Sequence, residues 1–446
     1  MDRSTSIDRR GFVAGSVALA GSHLLGVPGI LSAQAKGEKL GIAVIGCGGQ
    51  GSGNPGLATS ERLVALVDVD DERLRKAVKG VAAKVKEPKV FHDYRKMFDD
   101  CHKQIDAVLI ATPDHHHAPA AIRAIELGKH VFVEKPMTYC LYEARKLTEA
   151  ARKHKVATQM GNQGHSGEGY RLLCEYIWAG AIGGVTETHS LMERSFGGTG
   201  GRPKGKPVPK GVHWDEWLGP AEVRDYYDGL HPFGWRSWCD FGTGTLGDMG
   251  CHLLDGVFWA LKVAEAKTYT IECLKQKGGS KEMFPQDNLI RWTIPARAGM
   301  PTLNAHSHDR EWPQVVKDLE KKFGVKFGGG TVYIGDKGVM FTDTYGGNPR
   351  ILPKEKHDQF GKPKKVLARS KHGGKGDFLA AARGGEAASS NFDYAGPFTE
   401  FVLTGVLASR AGVAKKLEWD VAGLRCMNVP DVTEWVKRTY RKGWEV

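Results

Sequence analysis

Asp248 and His252 stand four residues apart at the start of a predicted helix, so both side chains project from one face. An imidazole titrates near neutral pH, and His252 is placed to take the proton of a substrate hydroxyl. Asp248 can orient that imidazole or hydrogen-bond a neighbouring hydroxyl. Lys135, in Val131-Phe132-Val133-Glu134-Lys135-Pro136, ends a predicted strand, and its cation can stabilise an alkoxide-like oxygen. Taken alone, the Asp/His pair reads equally as an N-terminal Asp on a helix dipole plus a core histidine. Taken with Lys135 and the glycine loop below, it reads as machinery for moving a proton and a hydride at an alcohol carbon.

That chemistry needs a hydride carrier, and the chain offers a place for one. Gly46-Cys47-Gly48-Gly49-Gln50-Gly51 is a GxGxxG directly after the first predicted strand. Gly46 permits the turn, Gly48 lets backbone approach a pyrophosphate, and Gly51 allows close strand–helix packing. The next strand ends at Asp68, whose carboxylate can accept hydrogen bonds from ribose hydroxyls. No Arg follows it immediately, which favours NAD, with NADP as the alternative. Gly53-Asn54-Pro55 interrupts the start of the following helix and is expected to delay it. Ala111-Thr112-Pro113-Asp114-His115-His116-His117 ends another strand at the same sheet edge. Three consecutive histidines do not converge on one ion without unusual backbone, so this segment is expected to be a loop over the nicotinamide end rather than a metal site.

The elements that must carry these residues fall into two groups. Short aliphatic runs at 40–45, 63–67, 107–111 and 130–133 alternate with helical patterns at 71–86, 118–127 and 142–154, the signature of βαβ units and a buried parallel sheet. Past about residue 160, Gly, Pro and Trp increase. Helices are expected at 171–179, 247–261 and 398–411. Runs at 185–192, 268–273, 289–294, 331–334 and 338–343 predict a large, mostly antiparallel open sheet, with 354–383 a polar surface excursion. The expected fold is therefore α/β: a doubly wound Rossmann domain over 36–160 and an α+β substrate-binding and oligomerisation domain over 161–446. Trp235, Arg236 and Trp238 are candidate sugar contacts, because indole faces stack on the CH faces of sugar rings while Arg bonds hydroxyls.

The glycine loop, Ala111-Thr112-Pro113 with His117, Glu134-Lys135-Pro136, and Gly242 to His252 occur in an order that resembles the glucose-fructose oxidoreductase and inositol dehydrogenase (Gfo/Idh/MocA) family over nearly the whole chain after the first 35 residues. The resemblance implies catalytic roles for Lys135, Asp248 and His252. It implies nucleotide contacts at Gly46, Gly48, Gly49, Gln50, Gly51, Asp68, Thr112, Pro113, His117, Glu134 and Lys135, and hydride transfer between NAD and a secondary alcohol of a sugar, polyol or glycoside. Two other outcomes exist on this scaffold. One is a redox-neutral glycosidase that oxidises, eliminates, hydrates and reduces; the other is a nucleotide- or sugar-binding protein, which needs no proton relay.

Bulk properties narrow the setting. The formal charge of +12 over 446 residues is scattered, with local excess only around 202–210 and 354–375, so nucleic-acid binding is not indicated. The eight cysteines form no CxxC pair or regular framework. Arg9-Arg10-Gly11-Phe12, an apolar stretch over 13–31 and Ala33-Gln34-Ala35 read as a twin-arginine export signal over 1–35. This predicts a periplasmic or otherwise exported protein, cytoplasmic if the signal is not used, with no stable membrane insertion and folded with its cofactor before export; the open sheet that the family resemblance implies would suit a dimer or tetramer.

Overall fold

Residues 38–446 are described by the computed structural model, and the expected export signal lies outside the described residues. Six short strands, β1 (Gly41–Ile45), β2 (Arg62–Val67), β3 (Lys89–Phe91), β4 (Ala107–Ile110), β5 (His130–Val133) and β6 (Thr158–Met160), form a parallel sheet in the order β3-β2-β1-β4-β5-β6. β1, β4 and β5 are buried along their full length, which is why, apart from Gly41 and His130 at two of their starts, they carry unbroken apolar residues rather than an alternation. The strand order reverses between β1 and β4, and this opens a crevice at the carboxyl ends of both strands.

The second sheet has nine strands: β7 (Val185–Leu191), β8 (Thr268–Gly278), β9 (Pro285–Ile294), β10 (Leu303–His308), β11 (Gly330–Gly335), β12 (Gly338–Asp343), β13 (Arg350–Leu352), β14 (Lys416–Asp420) and β15 (Arg425–Cys426). Their order is β13-β12-β11-β7-β10-β9-β8-β14-β15, antiparallel throughout except for β7 and β10. The helix Phe392–Ala411 packs on its inner face and reaches back to the first domain through Arg145, which pairs with Glu400 at 2.8 Å. The fold is thus α/β, a parallel Rossmann-like sheet joined to a mostly antiparallel one.

Two expectations need correcting. The stretch 354–383 is a surface excursion only in part: the helix Lys354–Phe360 has no buried residue, but the helix Gly374–Ala382 turns inward. Phe378, Leu379, Ala381 and Ala382 of the second are buried against Leu40, Ile42, Val44 and Phe132 of the parallel sheet, so a segment late in the chain completes the core of the first domain. Its composition, Gly-Lys-Gly-Asp-Phe-Leu-Ala-Ala-Ala, hides this because two glycines mask a short apolar face. The helix expected over 247–261 breaks at Leu254 into Gly244–Leu253 and Asp255–Ala260. The segment 214–238, which supplies the candidate sugar contacts, contains a helical turn at Trp214–Leu218 and a 3-10 turn at Gly234–Ser237.

Candidate active site

At the end of β1 the chain turns sharply, with Gly46 at φ +88° and its N–H donated to Val67 O at 2.8 Å. A Cβ on Gly46 would meet Ala111 O at 2.3 Å, and one on Gly51 would meet Gly46 O at 2.2 Å. Both glycines are therefore demanded by how closely β1, its turn and β4 approach. The turn continues as a 3-10 helix, Gly49–Gly53, and the α-helix begins only at Asn54, with Pro55 in its first turn. Gly46, Gly48, Gly49 and Gln50 line a cavity of about 310 Å³ that runs along the crevice to Lys135 and Arg236.

Asp68 borders the same cavity from the end of β2. Its Oδ2 accepts the Cys47 N–H at 2.7 Å and its Oδ1 the Asp70 N–H at 3.1 Å. Each oxygen keeps a lone pair for a ribose hydroxyl. Burial pushes this carboxyl up, while the Cys47 N–H and Arg73 pull it down. Arg73 was not visible as a partner in the sequence. Its guanidinium lies over Gly48, where an added Cβ would meet it at 2.4 Å, and within 3.7 Å of Asp70. One helical turn carries this cation back over the loop, next to where a pyrophosphate belongs. The second domain closes over the same end: His231 Nε2 sits 2.8 Å from Asp70 Oδ2, Asp71 N–H donates to Gly211 O, and His213 N–H donates to Val69 O.

Beyond β4, Thr112, Pro113 and Asp114 line the cavity, and the buried Thr112 hydroxyl has no partner. Of the three histidines that follow, His116 lines the cavity, and His115 and His117 do not. His115 Nδ1 and Nε2 approach Phe241 O and Trp217 O at 3.2 and 3.0 Å, and His116 Nε2 approaches Trp217 O at 2.9 Å, so both pin the second domain to this loop. His117 lies behind the cavity wall, with Nδ1 2.7 Å from Pro136 O and Nε2 2.9 Å from Thr112 O. Burial pushes its ring down to about 4, so it is neutral and donates to one of the two carbonyls. It holds the Thr112 loop against the loop of Lys135.

Lys135, followed by a cis peptide to Pro136, extends into the crevice. Its Nζ lies 2.8 Å from Asp248 Oδ1 and 3.1 Å from Asp248 O. Arg236 Nε reaches the same Oδ1 at 3.2 Å. Burial disfavours both charges of the Lys135–Asp248 pair, yet the facing charges outweigh it: the ammonium is held above its ordinary value and the carboxylate below. Both are ionised. The helix carrying Asp248 starts at Gly244, where φ is +67° and a Cβ would meet Phe284, and Thr243 before it donates to Asp114 Oδ2 at 2.7 Å. Asp114 is buried beneath this pair, and its carboxyl is pushed up to about 7 by burial, against the Thr243 hydrogen bond and the charge of Arg236. Its place in the site was missed because only the fold brings it under Lys135.

His252 lies one turn beyond Asp248, and the structure does not use Asp248 to orient it. Its ring is buried and stands edge-on to Tyr345, 4.9 Å between centroids, and Nδ1 has no partner. Burial and the charge of Lys135 push it down to about 3, so it is neutral with a free nitrogen. Among the expected sugar contacts, Trp235 and Arg236 line the cavity, with the Arg236 guanidinium 4.2 Å from the Trp235 ring. Trp238 does not line it. It packs behind the wall in the same buried cluster as Trp217, Tyr227, Trp235 and Phe241, 4.8 Å from the Tyr227 ring. Glu134 lines the cavity with Oε2 unpartnered, and Lys375, from the late helix, sits 3.5 Å from its Oε1 and 2.7 Å from Asn54 Oδ1.

The donor set fits a dinucleotide: a glycine turn with no room for Cβ atoms, a paired cation, a buried acid at the ribose end, and orphaned Thr112 and Glu134 oxygens at the far end. The sequence model of the Gfo/Idh/MocA oxidoreductase family's NAD-binding Rossmann fold matches residues 40–162, and that of the family's C-terminal alpha/beta domain matches 195–281. A levoglucosan dehydrogenase from Pseudarthrobacter phenanthrenivorans is 29% identical over 195 residues, 42% of either chain. An inositol 2-dehydrogenase from Salmonella typhimurium is 29% identical over 128 residues, 28% of this chain and 37% of that one. The alignments thus span about two fifths of the curated relatives' length. Among solved structures, the WlbA dehydrogenase from Bordetella pertussis in complex with NADH and UDP-GlcNAcA superposes with a TM-score of 0.57 at 16% identity, over 85% of this chain and 98% of that one. A levoglucosan dehydrogenase in complex with NADH and levoglucosan does so with a TM-score of 0.53 at 18% identity, over 83% and 97%.

Proposed function

We infer that this chain, which belongs to the Gfo/Idh/MocA oxidoreductase family, is an NAD-dependent oxidoreductase acting on a secondary alcohol of a small sugar or polyol. The observation that carries the reading is the meeting of Lys135 from the first domain with Asp248 and Arg236 from the second, at one end of a cavity whose other end is the glycine loop. When bound there, NAD supplies an acceptor for hydride at the nicotinamide ring. The chain's own residues then have separable tasks.

Gly46 to Gly51 and Asp68 hold the dinucleotide, with Arg73 adding charge at the loop. Lys135 stays an ammonium, because Asp248 and not substrate neutralises it at rest. A substrate hydroxyl placed against Nζ has its oxygen stabilised as negative charge builds on it. His252, one turn beyond Asp248 and just behind the residues that line the cavity, is the proton acceptor in this reading. It is neutral at physiological pH, and its depressed value is no obstacle, since a hydroxyl whose carbon is losing hydride becomes acidic enough to protonate a weak base. Trp235 and Arg236 supply an apolar face and a hydrogen-bond donor at the cavity wall, a combination suited to a sugar ring. Asp114, neutral below about pH 7, keeps a further negative charge away from the ammonium.

The Arg9-Arg10 segment supports export by the twin-arginine route, and an exported enzyme of this kind would retain its cofactor through turnover. No helix among the described residues is long and apolar enough to cross a membrane. The open nine-stranded sheet supports a homo-oligomer, read out by light scattering. The test of function is to purify the protein without added nucleotide, extract and quantify bound NAD(H), and screen sugars and polyols for a change in its redox state. Purified, folded protein that neither retains nor binds NAD(H) would refute the proposal.

A further inference from the structure

On the outer face of the nine-stranded sheet, away from the nucleotide crevice, Glu187 and His189 of β7 lie beside His306 and His308 of β10. β7 and β10 are the one parallel pair in that sheet, and their register sets His306 against His189. Side chains two apart share a face of a strand, and adjacent strands run about 4.8 Å apart, so Glu-x-His beside His-x-His gathers four ligating groups at one point. The inner face is the other one, since Ser190 bonds Thr331, whose hydroxyl donates to Leu253 O. From these positions we propose that Glu187, His189 and His306 form a site for a divalent transition metal, with zinc the ion it fits.

The ligand atoms lie close together, with His306 Nδ1 now donating to Thr188 O at 3.2 Å. Glu187 Oε1 is 3.0 Å from His189 Nε2 and 3.9 Å from His306 Nδ1, and one ligand atom from each of the three residues lies within 4.8 Å of the others. Zinc holds nitrogen and carboxylate oxygen at about 2.0–2.2 Å, which places ligand atoms of a tetrahedral site roughly 3.3–3.5 Å apart. Rotation of the two rings about χ2, which takes His306 Nδ1 off Thr188 O and frees its lone pair, and a small retreat of the Glu187 carboxylate reach that spacing. The rings are buried, so their neutral forms, which carry the ligating lone pair, are favoured, while Glu187 is 37% exposed and gives an ion a way in and a position for water. His308 supplies the outer contact, its Nε2 3.0 Å from His189 Nδ1. With the ion on Nε2, His189 carries its proton on Nδ1 and donates it to His308, the arrangement that orients metal-bound imidazoles. The flanking cation, Arg291 of β9, is already paired with Glu272 at 2.7 Å. A bound ion would tie β7 to β10.

This inference stands apart from the proposed reaction, and its test does not read activity. The full chain, without an affinity tag, is stripped with a chelator and titrated with Zn²⁺ against a chromophoric competitor. Co²⁺ substitution then reports coordination geometry by visible absorption. Wild type binds one tight equivalent, with a higher Tm when loaded and a tetrahedral Co²⁺ spectrum. His189→Ala and His306→Ala abolish that equivalent. His308→Ala weakens it by about 10- to 100-fold, as loss of an outer-shell partner does. Because the histidines are buried, Glu187→Gln at the half-exposed position provides a variant with native circular dichroism, weakened at least tenfold. His92→Ala reports on the other Asp/His group, Asp71, His92 and His213 at the crevice rim, and leaves the equivalent in place. Absence of a tight equivalent in wild type, or one that survives Glu187→Gln unchanged, or one lost in His92→Ala, overturns the proposal.

Discussion

Replacing Lys135 with Met keeps most of the side-chain volume and removes the charge that faces Asp248. At 2.8 Å and an effective dielectric of 20 the pair's gross attraction is about 6 kcal/mol. Most of it offsets the cost of burying two ions, and removing one partner of such a pair typically costs about 3–5 kcal/mol. Arg236 remains 3.2 Å from the same oxygen, which places the expected loss at the lower end, about 3 kcal/mol. The double variant Lys135→Met/Asp248→Asn no longer buries an uncompensated carboxylate and should recover about 2 kcal/mol of that loss. Turnover behaves differently. Both variants lack the donor for the developing oxygen charge, and both should fall by about 10²–10³-fold. Nucleotide affinity should change by less than about tenfold, or 1.4 kcal/mol, because the glycine loop and Asp68 are untouched. Urea unfolding, NADH titration and single-turnover reduction of bound NAD separate the three quantities. A Lys135→Met protein within about 0.5 kcal/mol of wild type, or turnover restored in the double variant, would refute the reasoning.

Other expectations follow from neighbouring groups. Asp114 titrates near 7 in the fold against 3.8 when exposed, so the folded form keeps a proton that the unfolded chain releases as pH rises, and stability falls across that window. Asp114→Asn, which still accepts from Thr243, should therefore stabilise the protein by up to about 4 kcal/mol at pH 8 and by under half that at pH 5, measured by urea melts at the two pH values. Gly51→Ala drives a Cβ to within 2.2 Å of Gly46 O, and should cost about 1–3 kcal/mol and abolish tight NADH binding by fluorescence titration. Lys375→Met leaves Glu134 and Asn54 without their cation, and should destabilise the protein by about 1.5–3 kcal/mol in the same melts.

The parts of this site that were legible in the sequence are those set by local geometry. A GxGxxG after a buried strand reads as a turn because Gly46 and Gly51 answer to steric demands a few residues away, and Asp248 and His252 share a face because helical spacing puts them there. What could not be read is where long-range packing sends a side chain. Arg73 curls over Gly48, Asp114 sinks under Lys135, and Lys375 arrives beside Glu134 from a helix more than 200 residues downstream. Trp235 and Trp238 look alike in sequence and share one buried cluster with Trp217, yet only the first also lines the cavity, since Trp235 lies within the 3-10 turn Gly234–Ser237 and Trp238 just after it. Likewise, the i and i+2 spacing of Glu187 with His189 gains meaning only once β10 lies alongside in parallel register.

The central claim is that a substrate carbon, Lys135 and the nicotinamide ring meet in the crevice between the two sheets. Offering the NAD-loaded protein a panel of perdeuterated sugars and inositols, then analysing the extracted cofactor by mass spectrometry and NMR, tests that meeting directly. The account predicts deuterium at nicotinamide C4 with at least one member of the panel in wild type, and transfer slowed about 10²–10³-fold in Lys135→Met with the nucleotide still bound. Deuterium transferred at the wild-type rate by that variant, or none transferred from the whole panel by a wild-type protein carrying NAD, would contradict it.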